Sequence, residues 1–204
     1  MATIQESAIV TGTKWASTLY TRYGWYLSAN DAFLLVYGGS VNFHKTGQSC
    51  SEATGYSGCW GRSTGRNTIE VFTDAGRNLV GDVHWAVHEL GHSYVNAVGS
   101  FSEPDFAGGR SFTLPSLLEY IQGYGFPDRP PGSAWDSTWG FAGGRWEWQR
   151  SSSGAASEEF ADMYLGWVYG QWETNRGVLT EDGYARESFM NALMPYTVDM
   201  AIGR

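Results

Sequence analysis

Hydrophobic and polar positions along the chain predict five helices. In the first, Trp15, Leu19 and Tyr23 follow one another at intervals of four residues, which is the spacing of one helix face. Ser157 is expected to cap the fourth helix, ahead of an acidic first turn, and Pro195 is expected to end the fifth. The predicted helices span residues 13–27, 79–98, 114–122, 157–172 and 184–193.

Two shorter stretches predict β-strands. Residues 33–37 form a short apolar run, and residues 67–72 alternate the apolar Ile69 and Val71 with the polar Thr68 and Glu70. The intervening residues 38–65 are rich in turn-forming types. Residues 125–150 combine Pro and Gly with four Trp, and they predict a long aromatic loop. Helices and strands together predict an α+β fold.

Length and charge limit the possible classes of protein. A chain of 204 residues predicts one domain, 1–204. The net charge of -8 argues against nucleic-acid binding and against an electrostatic association with membranes. No apolar run reaches the roughly 18 residues that a membrane-spanning helix needs. We expect a monomer without a membrane or nucleic-acid partner.

The two cysteines, Cys50 and Cys59, enclose a loop that contains two glycines and closes easily. Their spacing fits neither a metal knuckle nor a redox pair, so a disulfide in a secreted protein is expected, and two free thiols in a cytosolic protein are the alternative. The N-terminal residues lack the charged and apolar regions of a secretory signal. Secretion would therefore mean that a signal has been removed.

The strongest chemical signal is the sequence HELGH at residues 88–92, which is an H-E-x-x-H motif. His88 and His92 lie four residues apart, so on a helix both imidazoles reach one metal ion from the same face. Glu89 lies about 100° around the helix, beside the ion, where it can take a proton from an activated water. His84 lies one turn earlier, but three side chains in one row cannot converge tetrahedrally on an ion.

A catalytic zinc ion usually takes a third protein ligand. The metzincin pattern is excluded, because it needs Gly and His where this chain has Val95 and Val98. The best remaining source is the acidic start of the helix predicted at 157–172. Glu158 and Asp162 share a face there, so one can bind the metal while the other accepts a hydrogen bond from an imidazole. Glu159 is the first alternative ligand, and Asp162 itself is the second.

Residues 86–92 (AVHELGH) and 158–162 (EEFAD) together resemble the zincin metallopeptidases, most closely the gluzincin branch. The resemblance implies one zinc ion held by His88, His92 and Glu158, with Glu89 as general base and Asp162 as partner of a ligand histidine. It implies a small mixed sheet and an active-site helix in residues 1–100, and a mainly helical part with the third ligand in residues 101–204. Residues 67–72 resemble the edge strand of that family, which binds an extended peptide substrate by strand addition.

The implied reaction is peptide-bond hydrolysis by a metal-activated water, with Glu89 as the base. The oxyanion needs a second electrophile, usually Tyr or His in this family, and Tyr94 and Tyr196 are two candidates. Hydrolysis of a small amide or a cell-wall peptide is one alternative function. A metal-binding module without turnover is another, although such a module has no use for Glu89.

Overall fold

The computed structural model describes residues 2–55, 59–75, 83–98, 101–103, 110–112, 155–172, 174–175, 177–179 and 181–204. They belong to two compact units, Met1–Ala97 with Ala201–Arg204, and Val98–Met200. Both helices and strands are present, which confirms the α+β class. None of the helices in the described ranges combines the length and the apolarity needed to cross a membrane.

Two helices open the first unit. Helix α1 (Ala2–Tyr23) begins earlier than predicted and ends where Gly24 adopts φ 71°. Helix α2 (Ala29–Tyr37) packs against it at Gly12. A Cβ atom at Gly12 would collide with the backbone carbonyl of Ala29 and lie 3.2 Å from the Cβ of Phe33. Glycine therefore allows the two helix backbones to approach closely here.

The strand predicted at residues 33–37 is wrong, because these residues form the second half of α2. The side chain of Ser28 caps the helix by accepting the backbone N–H of Asp31 at 3.1 Å. Gly38 ends it in the left-handed conformation, with φ 68°. A short apolar run has no periodicity that separates a strand from a buried helix, and the capping residues decide the outcome here.

A three-stranded mixed sheet follows, made of β1 (Asn42–Lys45), β2 (Gly61–Ser63) and β3 (Thr68–Val71). The strand predicted at 67–72 is confirmed as β3. The strand order is β1-β3-β2, with β1 parallel and β2 antiparallel to β3. Strand β3 is therefore central. The expectation that residues 67–72 form an edge strand that binds substrate is wrong, because both sides of β3 are already paired.

The region between β1 and β2 contains helix α3 (Cys50–Thr54), which was predicted only as turns. Ser49 and Glu52 form a capping box at its start, and the hydrogen bonds from Ser49 lower the pKa of Glu52. Cys50 and Cys59 are joined by the expected disulfide, with Cα atoms 5.5 Å apart. The Asp74 carboxylate, in a 3₁₀ turn (Thr73–Ala75), accepts the backbone N–H of Cys50 at 2.9 Å.

Helix α4 (Val83–Val98) confirms the predicted helix over the described part of its range, and residues 79–82 lie outside the description. Its buried side chains include Val87, Leu90 and Tyr94. These three residues share one side of the helix, because they are spaced by three and four. The side of α4 that carries these three residues therefore packs against the interior of the protein.

The described elements of the second unit include two short antiparallel pairs and two helices. The pairs are β4 (Phe101–Glu103) with β5 (Arg110–Phe112), and β6 (Thr174–Asn175) with β7 (Val178–Leu179). Helix α5 (Ala155–Tyr169) contains Ser157, so the predicted cap at that residue is wrong. The predicted helix 114–122 and the aromatic loop 125–150 lie outside the described residues.

Helix α6 (Glu181–Ala201) continues through Pro195, so the predicted stop at that residue is also wrong. Proline removes a helical hydrogen bond and costs about 3 kcal/mol. Apolar side chains on both sides of Pro195 are buried, among them Leu193, Met194 and Val198. Burying each such side chain contributes about 1.5–3 kcal/mol, which together exceeds the cost of the proline.

Replacing Gly12 by Ala is expected to destabilise the protein. Alanine is the better helix former by about 1 kcal/mol, but the overpacking against Ala29 costs about 1–3 kcal/mol and should dominate. Urea unfolding measures the difference, with the exposed Thr13→Ala on the same helix as control. A Gly12→Ala variant as stable as Thr13→Ala would show that the helices do not need this close approach.

Candidate metal centre on helix α4

One turn of α4 carries the motif residues His88, Glu89 and His92. His88 is 0% exposed and Glu89 is 4% exposed, whereas His92 is partly exposed. Imidazoles and carboxylates are seldom buried without a partner or a function. The burial of an imidazole and a carboxylate on one turn, next to buried apolar side chains such as Val87 and Leu90, marks this turn as the candidate site.

The two imidazoles lie close together and nearly perpendicular to each other. The ring centres of His88 and His92 are 4.9 Å apart, and the ring planes form an angle of 81°. Two imidazoles that bind one tetrahedral ion through bonds of about 2.0–2.1 Å have their ring centres about 5 Å apart. The separation in the structure therefore fits two imidazoles on a single metal ion.

Neighbouring elements hold α4 at several points. The Tyr37 hydroxyl in α2 donates to the backbone carbonyl of Leu90 at 3.0 Å. The rings of Trp15 in α1 and Tyr94 lie 5.0 Å apart, so α1 and α2 both contact the helix on the side that Leu90 and Tyr94 share. These contacts restrict how α4 can rotate about its axis.

Strand β2 lies beside α4 next to the second histidine. The Ser63 and Ser93 hydroxyls are 3.0 Å apart, and the Asn96 amide donates to Ser63 at 3.1 Å. Gly61 takes part in the same packing, because a Cβ atom there would lie 2.7 Å from the Trp85 ring. The sheet and the helix therefore meet along β2, the strand that follows the disulfide.

The predicted third ligand belongs to the second unit. Glu158 and Asp162 lie one helical turn apart in α5. The Asp162 side chain is 0% exposed, and the side chains of Glu158 and Glu159 lie outside the description. Among the side chains that the structure describes, no group of three His, Cys, Asp or Glu residues is placed to hold a metal ion. Glu158 as the third ligand and Asp162 as partner of a histidine stay predictions.

Other donor side chains are less well placed. Both cysteines of the chain are bonded to each other, so neither offers a thiolate to a metal. His44 in β1 and His84 in α4 are exposed. Tyr94 is 1% exposed and packs against Trp15, while Tyr196 lies exposed on α6. The role of Tyr94 or Tyr196 as the second electrophile stays a prediction.

The sequence pattern does not predict two contacts of the site. These are the hydrogen bond from Tyr37 to Leu90 and the contact of Ser63 with Ser93. Tyr37 falls in the run that was predicted as a strand, and Ser63 falls in a stretch that was predicted as turns. The partners of each pair are 53 and 30 residues apart. Only the alternation of residues 67–72 indicated that a sheet lies near the motif.

Comparison with protein-family models, with curated proteins and with solved structures finds no match to this chain. The motif, the geometry of α4 and the chemistry of its residues are therefore what indicates the function.

The imidazole pair predicts the effect of removing each histidine. His88→Ala and His92→Ala should each weaken zinc binding at least 100-fold, because each removes one of the donors that fit a single ion. His84→Ala on the same helix is the matched control and should bind zinc as the wild type does. Isothermal titration calorimetry with zinc measures all three. Equal loss in all three variants would contradict a site built on His88 and His92.

Proposed function

We propose that this protein is a secreted zinc metalloendopeptidase of the zincin type, with a gluzincin-like ligand set. The observation that carries the proposal is the single turn of α4 on which two imidazoles, 4.9 Å apart, flank a buried carboxylate. Chance explains this arrangement poorly, because three specified positions within five residues carry the two histidines and the glutamate that metal-assisted hydrolysis requires. The Cys50–Cys59 disulfide supports an oxidising location outside the cell.

His88 and His92 would hold the zinc ion together with Glu158. Asp162, one helical turn after Glu158 in α5, would accept a hydrogen bond from a ligand imidazole and keep its ring oriented. When bound, zinc acts as a Lewis acid that polarises the scissile carbonyl and activates a water molecule. With the cysteines in a disulfide, the donors are nitrogen and oxygen atoms only.

Glu89 is the general base in this proposal. Glu89 follows His88 in sequence and lies about 100° around the helix axis from it, so its carboxylate would stand beside a metal ion held by the two histidines. It takes a proton from the attacking water and passes it to the leaving nitrogen. Because Glu89 is 4% exposed, bulk water has little access to the proton it carries.

The substrate is proposed to bind along β2 rather than along β3, whose two sides are already paired. The backbone N–H of Phe72 donates to the carbonyl of Trp60, and the backbone N–H of Thr64 donates to the carbonyl of Thr68. The backbone groups of residues 60 and 64 therefore face β3. Because this direction alternates along an antiparallel pair, the backbone groups of Gly61 and Ser63 point away from β3. An extended peptide can pair with those outward groups. Since Ser63 contacts Ser93, a peptide bound there would run past the histidine turn.

The role of Glu89 predicts a variant that binds metal without turnover. Glu89→Gln keeps the size of the side chain but cannot accept the water proton, so casein hydrolysis should fall at least 1,000-fold. Zinc content, measured by mass spectrometry, should stay at one ion per chain. A Glu89→Gln variant with full activity would contradict the mechanism, and a wild type that binds zinc but cleaves no peptide would favour the binding module.

The third ligand can be assigned by comparing neighbouring carboxylates. Glu158→Gln should weaken zinc binding about 10- to 100-fold or more, because it removes a charged ligand. Glu159→Gln, the adjacent residue on another face of α5, should bind zinc normally. Calorimetric titration decides between them. A loss in Glu159→Gln alone would move the ligand by one residue, and no loss in either would leave Asp162 as the remaining candidate ligand of α5.

A further inference from the structure

We propose that Tyr37 is a positioning residue that sets the rotation of α4 and thereby orients the His88 and His92 imidazoles. The inference deepens the proposed metal site and rests on it for its functional meaning. The contact that carries it is the hydrogen bond from the Tyr37 hydroxyl to the Leu90 carbonyl, 3.0 Å long and fully buried. Leu90 is the central residue of the motif.

The place of this contact on the helix explains its effect. Leu90 lies two residues from each histidine, and therefore about 200° around the helix axis from both. The hydrogen bond thus holds the helix backbone on the side opposite to the imidazoles. The contact of Trp15 with Tyr94 lies on the same side. Ring packing of that kind tolerates small rotations, whereas a hydrogen bond weakens steeply when its angle changes.

Tyr37 is itself held rigidly. Its ring is 0% exposed and stacks on Phe33 in the same helix, with ring centres 4.5 Å apart. Its backbone carbonyl accepts hydrogen bonds from Arg66 at 2.8 Å and from Asn67 at 3.0 Å. These two residues lead into strand β3, so the hydroxyl that contacts Leu90 is tied to both α2 and the sheet.

The geometry of a metal site is more sensitive to the rotation of α4 about its axis than the stability of the fold is. Ligand side chains must be held within about 0.5 Å and 10–20° of the productive geometry. A rotation of α4 that leaves its apolar side buried would still move the histidine ring nitrogens, because they lie far from the helix axis. Loss of the Tyr37 hydroxyl should therefore affect the imidazoles beyond its effect on stability.

The test compares Tyr37→Phe, which removes only the hydroxyl, with Val36→Ala. Val36 is the buried neighbour in α2, so Val36→Ala lowers stability through packing and leaves the hydrogen bond to Leu90 in place. The first measurement is the ¹H–¹⁵N NMR spectrum of the histidine rings in metal-free protein, recorded well below both melting temperatures. Tyr37→Phe should shift the His88 and His92 signals, and those of the exposed His44 and His84 should stay.

The second measurement is cobalt titration followed by visible absorption. Tyr37→Phe should weaken cobalt binding about fivefold, the effect of one hydrogen bond, and alter the absorption bands, whereas Val36→Ala should keep both as in the wild type. Unchanged ring signals in Tyr37→Phe, or equal shifts in Val36→Ala, would overturn the positioning role. If the wild type binds no cobalt, the proposed metal site fails, and the ring signals alone still decide the role of Tyr37.

Discussion

Helix α4 buries the side that carries Leu90 and Tyr94 and has the imidazoles of His88 and His92 on another side, and this arrangement organises the first unit. Val87, Leu90 and Tyr94 occupy the buried side, where α1 and α2 contact the helix through Trp15 and Tyr37. The backbone bonds of the helix leave its rotation about its own axis free. Contacts with other elements must fix that rotation, and the contacts at Leu90 and Tyr94 do so on the side away from the histidines. The packing of Leu90 and Tyr94 therefore does not depend on what the histidines on the other side bind.

What the sequence predicts well is local. The H-E-x-x-H spacing requires only that residues 88–92 be helical, and the alternation around Ile69 requires only a strand with one buried side. Interactions within five residues determine both features. The disulfide is also a local feature, since Cys50 and Cys59 are separated by only nine positions and enclose a short loop.

What the sequence did not predict depends on distant or competing interactions. The central position of β3 requires pairing with residues 42–45 and 61–63, both from a region that looks like turns. The run at 33–37 is equally apolar in a strand or in a helix, and Ser28 and Gly38 decide its structure from outside the run. Proline usually ends a helix, but the buried residues around Pro195 favour continuation of the helix through it. For β3 and for the helix around Pro195, tertiary interactions outweigh a local preference, whereas for residues 33–37 the flanking caps decide between two equally apolar structures.

The central claim is that His88 and His92 bind one metal ion that has room for further oxygen ligands. X-ray absorption spectroscopy of the zinc-loaded protein tests it most directly, because it reports the donor atoms themselves. The account predicts two imidazole nitrogens at about 2.0–2.1 Å, with oxygen donors completing a four-coordinate shell and no sulfur. A spectrum with no imidazole scattering, or with sulfur at about 2.3 Å, would contradict it.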